Sequence, residues 1–264
     1  MIVGKAATLD NGRWVLASNG NGAFYEDGLA EGADVKQILS AVNGNAIVFN
    51  YPGVGSSSGL PNRQAMANTY RAMLNLLEDQ EKGIGAKEII GYGHSIGGGV
   101  QGDALKTHEL NKDVKYVFVK SRTFSDMSTI ASLLTNKLLG FLVKILGWNI
   151  DSVESSKKLQ APEIIMQRAI LFRRYKELND SAEIFDDGVI PVGASLAKAL
   201  LDDENCPKEN KVFIGMPENH NAPLYNTAFL ANKIEALLNA QCLGDESVAP
   251  AKIPLSTVNS MSVM

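Results

Sequence analysis

Cysteine is nearly absent from this chain. Only Cys206 and Cys242 occur; they form no CxxC pair, and no Cys/His cluster has zinc-site spacing. A disulfide-built scaffold and a zinc finger are thereby excluded. Two free thiols are expected, with one disulfide left open. An excess of basic charge is also lacking: Lys and Arg number 25 against 29 Asp and Glu, for a net charge of −4. Nucleic-acid binding wants a basic surface, so no such partner is expected. No apolar run reaches the length of a membrane span. Ile130–Trp148 comes closest, but Asn136, Lys137 and Lys144 interrupt it. The two lysines are seven apart and share one helical face. That predicts an amphipathic helix, either packed over the core or serving as a lid or membrane-surface helix. Residues 1–12 lack the basic-then-apolar layout of a secretory signal. The cytoplasm is therefore the default location, with delivery by a specialised bacterial secretion system left open. There is no P-loop.

What is present is an ordinary globular composition, 45% apolar over 264 residues, enough to bury a sizeable core. No Pro/Gly-rich linker divides it. Residues 1–243 are read as one domain, with cap or lid helices at about 128–150, and 244–264 as a loose polar tail. Short apolar runs alternate with helical patterns. Strands are predicted at Trp14–Ser18, Ala46–Phe49, Glu88–Tyr92, Tyr116–Val119, Glu163–Gln167 and Lys211–Gly215. Helices are predicted over Asn62–Lys82, just past Ser95, over Ser128–Leu146, within Val189–Leu201 and over Leu224–Leu238. This alternation argues for an α/β fold with a mostly parallel, doubly wound sheet. In such sheets the chemistry sits at the carboxyl ends of the strands.

Gly93-His94-Ser95-Ile96-Gly97 fits G-x-S-x-G. A tight strand-to-helix turn strains the serine backbone, and side chains in place of the glycines would clash. The pentapeptide alone is weak; its place after an apolar strand and before Gly98-Gly99-Val100 makes it strong. A serine nucleophile needs a base, and the chain has three histidines. His94 adjoins the serine and cannot easily turn back onto it. His108 lies on the helix after the elbow, more than three turns away, and is expected to face solvent. His220 follows the last strand, on the same side of the sheet as Ser95, and is the candidate base. The acid should lie between Ser95 and His220. Asp187, in Asp187-Gly188-Val189-Ile190-Pro191, is preferred to Asp126, whose surroundings suit a helix start; Asp186 is its near neighbour. A helix-capping role for Asp187 is the rival reading. The N–H groups of Ile96 and of Asn21, in the loop Asn19–Gly22, are the candidate oxyanion donors.

Taken together these motifs resemble the α/β-hydrolase superfamily from about Arg13 to Leu238. Ser18-Asn19-Gly20-Asn21-Gly22 is similar to its His-Gly-Asn-Gly oxyanion loop. Residues 50–59, Asn-Tyr-Pro-Gly-Val-Gly-Ser-Ser-Ser-Gly, are similar to its Asp-Tyr-Arg-Gly-Tyr-Gly-x-Ser-x-Gly. Asp187–Pro191 resembles its Asp-x-x-Val-Pro acid motif. More narrowly the chain resembles the chlamydial CHLPS-type proteins and the related Legionella SidB-like hydrolases. The resemblance implies a serine hydrolase acting on a carboxylic ester or thioester, through Ser95, Asp187 and His220, without cofactor or metal. The implied partner is a small acyl substrate, lipid-like in view of the apolar stretch at Leu138–Trp148. It assigns no oligomeric state. Three features depart from the family pattern. Asn19 replaces the histidine, about twenty residues separate the fifth strand from Asp187, and the opening hairpin is largely missing.

Two other readings are carried. One is a hydrolase fold that has lost turnover and serves as a binding or effector module. The other is a nicotinamide enzyme, for which Gly91-Tyr92-Gly93 and the pair Tyr116 and Lys120 would speak. That pair lies on a predicted strand, and no acidic residue closes the next strand for ribose binding.

Overall fold

The structure is a computed structural model that describes residues 1–4, 8–30, 32–169 and 174–241. The expected tail at 244–264, and Cys242, lie outside the described residues; Cys206 is a buried free thiol. All six predicted strands form. They are β2 (Arg13–Ser18), β3 (Asn45–Val48), β4 (Glu88–His94), β5 (Lys115–Ser121), β6 (Glu163–Arg168) and β8 (Lys211–Met216), mutually parallel where they pair. Two two-residue strands escaped the sequence reading. β1 (Ile2–Val3) and β7 (Lys176–Glu177) close the two edges antiparallel, giving the order β1-β3-β2-β4-β5-β6-β8-β7.

Both faces of the sheet are covered, which is why the central strands read as apolar runs. Side chains alternate between two cores. Trp14, Leu16, Tyr116 and Phe118 face one, packed by α2 (Arg63–Glu78) and α3 (Ile96–Leu105). Val15, Ala17, Val117 and Val119 face the other, packed by α1 (Asp34–Val42) and α8 (Thr227–Asn239). The chain leaves β2 toward β3 and returns past it to β4. The loops after β2 and β4 therefore diverge at a topological switch point, where a crevice opens at the carboxyl ends.

The helix expected over Ser128–Leu146 is a hairpin of two, α4 (Met127–Leu134) and α5 (Lys137–Ile145). The Asn136 side chain caps α5 by accepting the Leu139 N–H at 3.0 Å. Gly140 lets the helices touch, since a Cβ there would lie 1.7 Å from Ser132 Oγ. The hairpin meets the core through α4, where Ile130 joins it and Met127 packs against it, and the rest of the hairpin lies outside. Only Ile130 and Gly140 of the two helices are buried.

Two further helices, α6 (Ser152–Lys158) and α7 (Leu196–Asp202), complete the layers. The long segment between β6 and Asp187 carries β7 and then closes on itself. Ala169 bridges Ile184, and the Phe185 N–H donates to the Arg168 carbonyl at 2.9 Å. Asp187 thus returns to the end of β6 despite the insertion.

Candidate active site

Ser95 occupies the turn between β4 and α3 with φ 55° and ψ −123°, a conformation side-chain-bearing residues rarely adopt. Its N–H is tied to the Ser121 carbonyl at 2.9 Å, and its carbonyl accepts from the Gly98 N–H at 3.1 Å. The glycines are required by close approach. A Cβ on Gly93 would lie 2.6 Å from Gly98 Cα, and one on Gly97 would lie 2.2 Å from the Ser18 carbonyl oxygen. Ser18 in turn donates its hydroxyl to the Gly97 carbonyl at 3.0 Å, which locks the loop after β2 onto the elbow.

His220, in the loop after β8, is buried, and so is Asp187. His220 Nδ1 lies 3.0 Å from Asp187 Oδ2, and the His220 backbone N–H donates to the Asp187 carbonyl at 2.7 Å. Asp187 does not cap a helix: α7 begins at Leu196, and Ser195 caps it. Instead Asp187 Oδ1 accepts the N–H groups of Val189 and Ile190 at 3.0 and 2.7 Å, in a turn where Gly188 takes φ +93°. Burial pushes the Asp187 carboxyl up, but the hydrogen bonds from His220 and these amides outweigh it. The group is held below the ordinary carboxylate value. Asp186 is exposed; its carboxylate accepts the Gly188 N–H at 2.7 Å and its carbonyl accepts from Arg168 Nη1 at 2.7 Å. Asp126 caps α4 by accepting the Thr129 N–H at 2.9 Å.

Ile96 is the first residue of α3, so its N–H has no intrahelical acceptor. Asn21 is exposed in the Gly20–Ala23 turn, and its N–H meets no acceptor among the described residues. Gly20 sits against both His94 and Ser95, as a Cβ there would lie 2.9 Å from His94 Cδ2 and 3.6 Å from Ser95 Cβ. An open cleft of about 240 Å³ adjoins this group, lined among others by Asn19, Gly20, Phe24, His94 and His220. Neither Ser95 nor Asn21 lines it. Among the described residues no hydrogen bond joins the Ser95 hydroxyl to His220.

Two residues of the neighbourhood, Arg122 and Asp34, escaped the sequence reading. Arg122, fully buried and at φ 51°, donates to the carbonyls of Asn219 and Ala222 at 2.8 and 2.6 Å, on either side of His220. Its Nη2 reaches Asp34 Oδ2 at 3.0 Å. Asp34 also accepts the Leu224 N–H at 2.7 Å and the Tyr92 hydroxyl at 2.7 Å. The His220 loop is thereby clamped from beneath by Arg122 and Asp34. His94, set aside as a base in the sequence, lies with its ring 4.8 Å from that of His220, centroid to centroid. Desolvation, with the nearby Arg122 charge and His220, drives the His94 pKa well down, so it is neutral. No motif marks Arg122 or Asp34; only the fold joins residues so far apart in the chain.

His108 departs from expectation. The residue is partly buried, and its side chain is largely covered rather than solvent-facing, with Nε2 2.9 Å from Glu78 Oε2 of α2. Tyr116 and Lys120 form no cofactor site. The Tyr116 hydroxyl donates to Glu78, and Lys120 is sealed between Glu163 and Ser156 at 2.7 Å from each.

Residues 4–239 match the family model described as Chlamydia CHLPS protein (DUF818). No curated protein matches the chain. Solved structures are similar across most of its length. An esterase from Pyrococcus furiosus superposes with a TM-score of 0.60 at 12% identity, covering 90% of each chain. An alpha-beta hydrolase from Vibrio vulnificus gives 0.59 at 18%, covering 86% of this chain and 74% of the other. An esterase from Exiguobacterium antarcticum gives 0.55 at 13%, covering 90% and 94%. These likenesses establish the α/β-hydrolase fold.

Proposed function

This chain belongs to the Chlamydia CHLPS protein family, and from that premise we propose that it is a serine hydrolase cleaving a carboxylic ester or thioester. The observation that carries the proposal is that, at the carboxyl ends of the strands, a strained serine on a strand-to-helix turn adjoins His94, whose ring lies 4.8 Å from that of His220, and His220 is hydrogen-bonded to a buried Asp187. Ser95 Oγ attacks the acyl carbonyl and its proton passes to His220 Nε2. Asp187 holds Nδ1–H and stabilises the imidazolium. The N–H groups of Ile96 and Asn21 receive the oxyanion. The proton then goes to the departing alcohol or thiol, and a water repeats the sequence on the acyl-enzyme. Residues 1–243 act as one unit with the α4–α5 hairpin as its cap. The finer likeness to the Legionella SidB-like hydrolases belongs to this reading.

The open contact between Ser95 and His220 favours a second reading, a hydrolase fold that binds but does not turn over. Catalytic hydrogen bonds often tighten only around substrate, so the two readings part on reactivity. Treatment with a fluorophosphonate is expected to give a single adduct at Ser95, mapped by mass spectrometry. An intact, folded protein that stays unlabelled leaves the binding module standing.

Arg122 is a positioning residue in this scheme. Arg122→Lys keeps the charge but loses the planar fork that spans Asn219, Ala222 and Asp34. A shift of the His220 loop of about 1 Å is expected to lower kcat about a hundredfold, with KM little changed. Steady-state kinetics on protein shown folded by circular dichroism checks this; a change confined to KM would place Arg122 in substrate binding.

A further inference from the structure

The α4–α5 hairpin leaves the sheet after β5, and the chain returns to the core at Ile150. Phe124 and Ile150, its two feet, pack on Gly99, one turn past the elbow; a Cβ there would lie 3.1 Å from Phe124 Cζ and 3.0 Å from Ile150 Cγ2. Between the feet the hairpin departs from the rest of the surface. Leu133, Leu134, Leu138, Phe141, Ile145 and Leu146 are each more than half exposed. Only Gly140 of α5 is buried, and it faces α4, so the opposite face of α5 carries Leu138, Leu142 and Ile145 outward. Contiguous apolar exposure on this scale marks a docking surface, not a solvated one.

Charge selects what it docks on. The chain as a whole is acidic, at −4, yet residues 127–150 contain no Asp or Glu. Their only charges are Lys137 and Lys144, both exposed. Seven residues apart on α5, they lie on one stripe at the flank of the apolar face. Long aliphatic stems there let the ammonium groups reach phosphate level while the leucines enter the acyl boundary. No helix among the described residues is long and apolar enough to cross a membrane. A short apolar face with lateral lysines fits the surface mode of attachment instead.

We propose that the α4–α5 hairpin docks this protein on a bilayer containing anionic phospholipid, apolar face down, with the mouth of the sheet toward the lipid. The docking does not depend on Ser95 being a nucleophile, and the Ser95→Ala chain tests it without turnover. Full-length Ser95→Ala protein is sedimented with phosphatidylcholine vesicles and with vesicles of phosphatidylcholine and phosphatidylglycerol. Binding to the anionic vesicles, weakened by salt, is expected. Lys137→Gln and Lys144→Gln should each lower the partition coefficient about fivefold, and Leu138→Ser with Ile145→Ser by at least about tenfold. These side chains are exposed, so the variants keep the fold, which thermal melting verifies. No binding to anionic vesicles overturns the proposal. So does equal binding to both vesicle types that ignores the lysine substitutions. A dimer in sedimentation velocity that Leu138→Ser dissociates, with no vesicle binding, also overturns it, because a second copy then covers the face.

Discussion

Ser95→Ala is expected to lower kcat by about a million-fold, as loss of the nucleophile does in a serine-protease triad. The residual rate would come from the oxyanion donors and substrate binding alone. The substitution is a clean one. Among the described residues the Ser95 hydroxyl makes no hydrogen bond, so its removal strands no partner. The backbone around it is held by Ser121, Gly98 and the Ser18–Gly97 contact, none of which involves Oγ of Ser95. Ser95→Gly adds a second, opposite readout. At φ 55° and ψ −123° a side chain is strained by about 1–3 kcal/mol, and glycine relieves it. Ser95→Gly is therefore expected to be as inactive as alanine while gaining roughly 1 kcal/mol of stability. Ester hydrolysis followed in parallel with urea denaturation checks both. Activity retained in either variant would remove Ser95 from the chemistry.

Asp187→Asn is expected to lower kcat by about 10⁴, the cost of the corresponding change in trypsin. The reason is visible in what surrounds the carboxylate. Every group that touches it is a donor: the Val189 and Ile190 amides on Oδ1, and Gln167 Nε2 and His220 Nδ1–H on Oδ2. An asparagine must turn its NH₂ toward one of those sets. Facing His220, it forces the proton onto Nε2, the nitrogen that the proposed reaction needs free to accept from Ser95. Facing the turn, it opposes two N–H donors and loosens the support of the histidine. Asp126→Asn and Asp186→Asn are expected to stay near the parent rate. Asparagine serves as well as aspartate at the α4 cap, and Asp186 lies exposed beside a single amide. The comparison belongs near neutral pH. With its folded pKa lowered, Asp187 contributes its full stabilisation above the unfolded carboxyl value, near 3.9, and loses it as pH falls below. If Asp187→Asn stays active while Asp126→Asn does not, the acid follows β5 rather than β6.

Much of the architecture was legible in the chain because its signals are local. Apolar runs such as Glu88–Tyr92, followed by glycine-rich turns and helical patterns, define parallel strands without any knowledge of their partners. Ser95 announced itself through its glycines, which only a tight turn with close backbone approach requires. His220 emerged because there were only three histidines to choose from. Other features left no local signal. Two-residue strands such as β7 carry no periodicity. The surroundings of His108 could not be read, because Glu78, from another helix, is what buries it. The Ser128–Leu146 helix broke in two because Asn136 caps a fresh start more favourably than it continues a helix, and Gly140 gives the second helix a place to cross the first.

By itself, then, the sequence determined the six main parallel strands and the strained serine on its glycine-rich turn, since each follows from short-range sterics and hydrophobic period. Only the tertiary structure decided that the long insertion after β6 closes through Ala169 and Ile184, returning Asp187 to hydrogen-bond His220. It also decided that Arg122 and Asp34, 88 residues apart, join under the histidine loop, and that the most apolar hairpin of the chain faces outward. These are pairings between distant segments. They are set by which surfaces remain to be buried, and which donors remain to be satisfied, once the sheet has assembled.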